Sequence, residues 1–522
     1  MGVILNLIQN LVPMGKVCAG KSEAGKNKIN TSFYMEEKQN NIIQTDTSKR
    51  NVISSLLWKF LERGGTQGVQ FVLSVVLARL VSPADYGVIA LILIFIQIAT
   101  VFVQSGFNTA LIQKRNADEV DFSSVLYMSL AVAAVMYAVL FFASPFIASF
   151  YGNSVLCPLV RVLSLTLFFG ALNSVQSAYV SKTMQFRRFF FSSMGGALGS
   201  GIAGIILAYK GFGVWALVTQ QLVNISLMCV ILWFTVEWRP KLIFSLQRTK
   251  TLFCFGWKLL CSGLLDTVFR NIYGLLIGKI YNSTQLGYFN RGQQFPSVIA
   301  TNLDGSIQSV MLPALSAHND SKEEVKRLAR RSISTSSYLL MPCMFGLAAI
   351  AGPLVRILLT EKWLSCVPFL QLACISYALY PIHTANLTAI NAMGRSDIFL
   401  KLEIIKKCVT VLTLCITARL GIMAMAIGQV ITSFISIFIN SYPNGRLLNY
   451  RYREQLADIF SPLVLALIMF AFVWCVGLLR FSDLATLLIQ LPVGALVYFA
   501  GSRLLKLDSY IYLVGTIKGF RK

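Results

Sequence analysis

The sequence predicts an all-α polytopic membrane protein with about 14 transmembrane helices, built as two pseudo-symmetric six-helix bundles and a C-terminal pair. Three observations predict it: a composition suited to lipid, apolar runs of bilayer length, and an internal repeat. Of the 522 residues 56% are hydrophobic and only 13% charged. Globular chains run near ~25% charged, and a soluble fold of this length could not cover so much apolar side chain.

The repeat has a period of about 200 residues. Trp58-Lys59 reappears as Trp257-Lys258. Leu77-Ala78-Arg79-Leu80 and Tyr86-Gly87 return as Ile277-Gly278-Lys279-Ile280 and Leu286-Gly287, while Gln104 and Asn108 find polar counterparts in Asp304 and Gln308. Two related halves in lipid are a common build of alternating-access carriers, whose substrate sits between the halves. The repeat points to a carrier, not an enzyme.

Taken in order, the first half offers apolar runs at 55–79, 88–112, 122–143, 156–180, 189–209 and 212–236. The second half gives 255–281, 288–314, 333–358, 365–391, 400–418 and 421–441, and a last pair follows at 457–479 and 483–503. Each is close to the ~20 residues that carry a helix across ~30 Å of hydrocarbon. The plan is a cytoplasmic N-terminal tail over 1–50, lobes over 51–240 and 241–442, and two extra helices with a cytoplasmic tail over 443–522. Leu5–Val12 is too short to span and no clear cleavage site follows, so a signal peptide is not expected. Met35, ahead of Glu36-Glu37-Lys38, is a candidate true start of translation.

The chain carries 46 Lys and Arg and a net charge of +24. With the N-terminus in the cytoplasm, roughly 35 basic residues fall on cytoplasmic segments and roughly 8 on outer loops and helix ends. That asymmetry places both termini in the cytoplasm. It also explains the basic balance as membrane topology, so no nucleic-acid partner is expected. The 11 cysteines are scattered through the apolar runs without a CxxC pair, and they read as packing residues. Two histidines, His318 and His383, cannot supply a His-rich metal site, and no metal or cofactor is expected.

Polar residues inside the spans are few and ordered. Gln97, Gln104 and Asn108 share one stripe of the second span; Asn302, Asp304 and Gln308 sit at similar depth in the eighth. The first span contributes Glu62, Arg63, Thr66, Gln67 and Gln70, and the seventh Asp266 and Arg270, four residues apart near mid-bilayer. A charge at that depth costs ~2.5–3.5 kcal/mol, so it faces a partner or a wet cavity. Asp266 and Arg270 could simply neutralise each other on one helix face, or they could line a cavity. The cavity candidates are Arg63, Gln67, Gln104, Asn108, Asp266, Arg270, Arg291, Asp304 and Gln308. Arg161 and Arg356 lie near outer helix ends and are expected to snorkel.

Two further segments invite a reading. Gly199-Ser200-Gly201-Ile202-Ala203-Gly204 fits GxGxxG, but no strand precedes it, so the glycines are expected to allow close helix packing. The connector 315–332 carries Lys322, Lys326, Arg327, Arg330 and Arg331. It reads as a short amphipathic helix on anionic lipid or as a solvated linker.

Specific strings go further than composition. Leu286-Gly287-Tyr288-Phe289-Asn290-Arg291-Gly292-Gln293-Gln294-Phe295-Pro296, Gly211-Phe212-Gly213-Val214-Trp215-Ala216-Leu217-Val218 and Leu77-Ala78-Arg79-Leu80-Val81-Ser82-Pro83-Ala84-Asp85-Tyr86-Gly87 carry a resemblance over about residues 50–510. They resemble the polysaccharide transporter branch of the multidrug/oligosaccharidyl-lipid/polysaccharide exporter superfamily. Within it, the chain is similar to Wzx-type flippases of the colanic-acid-exporter subgroup. The resemblance implies a V-shaped, MATE-like pair of six-helix bundles with two extra C-terminal helices. It implies as substrate an undecaprenyl-pyrophosphate-linked oligosaccharide, turned across the bacterial inner membrane for O-antigen, capsule or exopolysaccharide synthesis. Membrane lipid, and a polysaccharide polymerase with its chain-length machinery, are the partners it implies. Relatives use cationic cavities and draw on ion gradients; here Asp266 and Asp304 are the candidates for proton or sodium coupling.

Rival readings remain. A multidrug or other lipid exporter of the same superfamily would share nearly every physical feature. A membrane polysaccharide polymerase or ligase would be expected to carry a long outer loop with acid/base residues, whereas the outer loops here are short and hold no paired carboxylates. A scaffold would need no ionisable groups at mid-bilayer.

Overall fold

The computed structural model describes residues 49–104, 111, 114, 117–317, 321–479 and 481–519. Most of the expected tail, with Leu5–Val12 and Met35, lies outside the described residues, as do Asn108, His318, Arg480 and the side chains of Arg63 and Lys258.

Among the described residues every regular element is a helix. The first repeat runs α1 (Lys49–Leu80), α2 (Pro83–Gln104), α3 (Glu119–Tyr151), α4 (Leu156–Leu163), α5 (Thr166–Lys182), α6 (Phe186–Tyr209) and α7 (Val214–Thr235). The second runs α8 (Leu246–Ile280), α9 (Ser283–Ala317), α10 (Lys322–Ala349), α11 (Ala351–Leu359), α12 (Val367–Ala378), α13 (Tyr380–Ala392), α14 (Ser396–Thr417) and α15 (Ile422–Leu447). Then come α16 (Tyr452–Gly477), α17 (Asp483–Leu504) and α18 (Asp508–Gly519). Ten of the described helical stretches are long and apolar enough to cross a membrane, and the bent pair α10–α11, broken by 71°, makes an eleventh. The helices α1, α9 and α14 have the length but are too polar or too charged to join them. With those three the set fits the fourteen spans read from sequence.

The repeat is visible in the local chemistry of the turns. At the entry to α2, Val81 N–H donates to Leu77 O, and the Ser82 hydroxyl accepts from Asp85 N–H at 3.2 Å. At the entry to α9, Tyr281 N–H donates to Ile277 O, and the Asn282 side chain accepts from Gln285 N–H at 2.8 Å. Both caps satisfy amides that a helix start leaves orphaned. Gly87 and Gly287 then occupy matching positions. A Cβ on Gly87 would lie 1.6 Å from the Ser283 carbonyl oxygen, and one on Gly287 would lie 2.1 Å from that of Pro83. Only glycine permits so close a crossing.

By contacts the chain forms two compact units, Ser22–Gly287 and Tyr288–Lys522, so the break falls within α9. In the first unit α6 lies between α1 and α7. A Cβ at Gly201 would meet Leu73 of α1 at 2.3 Å, and one at Gly196 would meet the Asn224 carbonyl of α7 at 2.9 Å. The GxGxxG string is therefore a helix-packing surface, as small residues in a membrane helix allow. The helix α8, which opens the second repeat, packs on α2 and α3 of the first.

In the second unit α10 packs along α16, α12 and α13, while α15 packs on α12, α13 and α14. The basic connector is not a separate surface helix. Its residues form the first turns of α10, with Val325 and Ala329 buried, Lys326 paired to Glu454 at 2.7 Å and Arg330 to Asp458 at 2.6 Å. Apolar positions on one side of that turn drive it against α16, and the basic side chains find carboxylates there. The outer-end arginines also have partners rather than snorkelling alone. Arg161 Nε donates to Ser144 Oγ at 2.9 Å, and Arg356 pairs with Asp483 at 2.8 Å.

Candidate functional site

In the first unit α2, α5 and α7, with the end of α4, line a partly open cavity of about 260 Å³. Its polar lining is Thr100, Gln104, Thr166, Gln221 and Asn224, and its remaining wall is apolar. Gln104 is held toward it by a 3.4 Å bond from Nε2 to the carbonyl of Gly170, where a Cβ would crowd the amide. No ionisable side chain lines this space. It offers amide and hydroxyl groups, which suit neutral hydroxyl-bearing ligands.

The face of α8 is of a different kind. The 18-residue apolar stretch within its span Leu259–Ile280 has a mean hydropathy of 1.2 and 11% of its residues buried, both the lowest values among the ten apolar spans. One side docks on α2: Asn271 Nδ2 donates to Gln97 Oε1 at 3.0 Å, and Gly274 and Gly278 lie against Ile94 and Leu91. The other side leaves Ser262, Asp266 and Arg270 exposed at helical spacing. Arg270 Nη2 meets Asp266 Oδ2 at 2.5 Å, yet the two side chains stay 75% and 51% exposed. The pair is therefore both mutually neutralising and open. Such a face is a poor lipid contact and a good wall for water or a polar ligand.

In the second unit Asp304 is buried on α9. Its Oδ1 accepts from Thr384 Oγ1 at 2.7 Å and Gln308 Nε2 at 3.4 Å, and Gln308 Oε1 accepts from Thr388 Oγ1 at 2.7 Å. Among the described residues no Lys or Arg reaches Asp304 within ion-pair distance. The structure thus brings Asp304 and Gln308 together through α13 in the second unit, while Gln104 lines the cavity of the first. Arg291 is buried, with Nη1 donating to Gln294 Oε1 at 2.5 Å and its guanidinium 5.1 Å above the Trp363 ring. Gln67 is exposed on α1, whereas Arg63 and Asn108 fall outside the described set.

Several polar positions were not singled out from sequence. Thr384 and Thr388, one turn apart on α13, complete the Asp304 group; Gln221 and Asn224 on α7 complete the cavity. His383, on the neighbouring face of α13, lies 3.2 Å from Asn440 and 3.4 Å from Ser433. The spacing of Thr384 and Thr388 was the one available signal.

The comparisons with known proteins decide the family. The profile described as "Polysaccharide biosynthesis protein" matches residues 76–368, more than half of the chain. The chain belongs to this polysaccharide biosynthesis protein family. The succinoglycan biosynthesis transport protein ExoT of Rhizobium meliloti (strain 1021) is 25% identical over 363 residues, covering 69% of this chain and 73% of that protein. The lipopolysaccharide biosynthesis protein WzxC of Escherichia coli (strain K12) is 22% identical over 444 residues, covering 84% and 90%. In fold, the lipid II flippase MurJ in an inward closed conformation superposes with a TM-score of 0.69 at 15% identity, covering 88% of this chain and all of that one. A multidrug resistance MATE family transporter in an inward-facing conformation gives 0.52 at 14% identity, covering 73% and 96%. The protein is a multi-pass membrane protein of this all-α transporter fold.

Proposed function

We propose that this protein is a Wzx-type flippase that moves lipid-linked oligosaccharide precursors across the membrane, with no catalytic chemistry of its own. The observation that carries this reading is the open Asp266–Arg270 pair on the least apolar of the ten apolar spans, in a chain of the polysaccharide biosynthesis family. Relatives named for succinoglycan and lipopolysaccharide biosynthesis support the substrate class.

The physical problem is a charged, hydroxyl-rich headgroup that cannot enter hydrocarbon unpaired. On this reading the lipid is undecaprenyl pyrophosphate, the Arg270 fork holds the diphosphate, and the amides and hydroxyls around Gln104 take sugar hydroxyls. The isoprenoid tail stays in lipid while the headgroup passes, and two alternating conformations of the repeats turn access from one side to the other. The membrane is the bacterial inner membrane with both termini cytoplasmic, as the Lys/Arg asymmetry supports. A polymerase and its chain-length machinery take the unit on the far side. Asp304 is the coupling residue, because a buried carboxylate without a cationic partner gains most from a proton or sodium ion.

Reconstitution with a labelled undecaprenyl-pyrophosphate oligosaccharide tests this. Transfer between leaflets should require the protein and rise with an imposed ion gradient. Asp304→Asn should retain basal transfer and lose at least most of the gradient stimulation. Absence of transfer by the monodisperse protein would overturn the flippase reading, and undiminished stimulation in the variant would overturn the role of Asp304.

A further inference from the structure

We infer that Asp266 is a built-in competitor for Arg270, an internal anion that displaces the substrate's diphosphate and so makes its release fast. The inference rests on the proposed reading that Arg270 seats a diphosphate, and it goes further by assigning its neighbour a separate task. A cation strong enough to capture a diphosphate in a wet crevice is also slow to let it go. A carrier needs both steps, and uniformly tight binding would stall it.

The geometry supplies the remedy. Asp266 and Arg270 stand four residues apart on α8, so the helix itself fixes the carboxylate beside the guanidinium at 2.5 Å. The same spacing holds in any conformation that keeps α8 helical, and the competitor cannot diffuse away. Both side chains are more than half exposed, so the pair is weak and readily opened, unlike a buried brace. Among the described residues of α8 and the helices packed on it, no second acid lies beside Arg270. On the elements packed against α8, the carboxylates are Asp85 of α2 and Glu119 and Asp121 of α3, all in first turns. The other charged positions on α8 from Lys258 onward, Lys258 and Lys279, lie at least two turns away.

The cycle needs no bond chemistry. A diphosphate entering with two or more negative charges outcompetes one carboxylate for the planar fork, because it can meet two N–H donors at once. Asp266 is then left beside a bound anion and repels it. When the far side opens, the carboxylate returns to Arg270 as the headgroup leaves, and the empty site is again neutral overall. That neutrality lowers the cost of moving an unloaded site through the membrane field.

The test is a binding and turnover comparison of the full chain in lipid nanodiscs and liposomes. The ligands are inorganic pyrophosphate, which carries the anion alone, and undecaprenyl pyrophosphate. Asp266→Asn should bind both about fivefold more tightly, as expected for removing a like charge roughly 7 Å from the anion at intermediate dielectric. Its leaflet transfer should show a lower KM together with a lower kcat. Asp266→Glu, which restores the competitor, should behave like the natural protein. Unchanged or weaker binding by monodisperse Asp266→Asn would overturn the proposal. Tightening toward inorganic pyrophosphate without tightening toward the lipid would overturn the lipid as its ligand. Equal pyrophosphate affinity in the natural protein and Arg270→Gln would instead show that Arg270 is no anion seat, which marks failure of the underlying reading.

Discussion

A carboxylate just ahead of α3 ties two distant segments together. Asp118 caps the helix by accepting from Asp121 N–H at 3.0 Å, its own N–H donates to Asp121 Oδ2 at 3.2 Å, and Arg248 reaches it from the start of α8. Burial pushes the Asp118 carboxyl up, but the Arg248 guanidinium and the Asp121 amide outweigh this and hold it below the usual carboxylate range. A carboxyl lowered on folding stabilises the protein above the unfolded value, and the contribution disappears as pH falls through the folded one. Asp118→Ala should therefore lower stability by about 1–2 kcal/mol at neutral pH, most of it from the lost cap because the ion pair is half exposed. Thermal unfolding in detergent should show the gap between variant and natural protein narrowing below the ordinary carboxylate range, as the charge-dependent share is lost. At this scale the sequence was legible wherever a charged or amide group interrupted an apolar run, as at Asp266, Asp304 and Gln308. Thr384 and Gln221 were harder to see. Hydroxyls can satisfy themselves on their own helix, and an amide's role depends on which neighbouring helix it faces. The packing of Arg291 was not readable either, since the ring it meets, Trp363, lies far along the chain.

At the scale of elements, the crossing of α2 and α9 has the shortest Cβ distances of any described glycine, 1.6 Å at Gly87 and 2.1 Å at Gly287. Pro83–Gly87 and Ser283–Gly287 are equivalent in the repeat, and each glycine admits the backbone of the opposite helix start. Alanine at either position needs the two helix starts to separate, a backbone shift costing about 3 kcal/mol. Gly68 of α1 provides the control, because nothing lies within 4 Å of a Cβ placed there. Gly68→Ala should raise stability by about 0.5–1 kcal/mol through helix propensity alone. Melting curves of the three variants decide the point: equal effects at positions 68, 87 and 287 would mean that the crossing is loose. The matching Tyr86-Gly87 and Leu286-Gly287 strings had revealed the repeat. Their mutual contact was not readable, because periodicity tells which residues correspond and not which ones touch. Helix identity was easier, since bilayer-length runs leave few alternatives. The polar helices α1, α9 and α14 were recognisable mainly through their places in the repeat.

On the scale of the molecule, the C-terminal helices α16 and α17 are part of the second unit's architecture and not an appendage. Sequence counted them correctly but offered no reason to dock them anywhere. The structure supplies two. Near the start of α16, Gln455 is buried and bonds Asn386 of α13 through both ends of its amide, at 2.8 and 3.1 Å, while Ser441 of α15 donates to it at 2.8 Å. Asn444 adds a 2.6 Å bond to the Asn386 side chain and one of 3.1 Å to its carbonyl. Closer to the surface, Arg330 grips Asp458 with two bonds of 2.9 and 2.6 Å, and Tyr450 donates to that carboxylate at 2.6 Å. Farther along, Tyr338 donates to Ser502 at 3.0 Å and Tyr498 to the Tyr338 carbonyl at 2.8 Å, which fixes α17 to α10. A network of this kind is worth most when complete, because each deleted member strands its partners in a medium without water. Gln455→Leu should accordingly cost about 2–4 kcal/mol although it adds apolar surface. Ending the chain after residue 447 should leave Asn386 and Ser441 without Gln455 and prevent a stable second unit from accumulating. If the truncated protein instead inserted, resisted protease as the full chain does and melted at the same temperature, the last helices would be accessory, and the second unit would have to be redrawn without them.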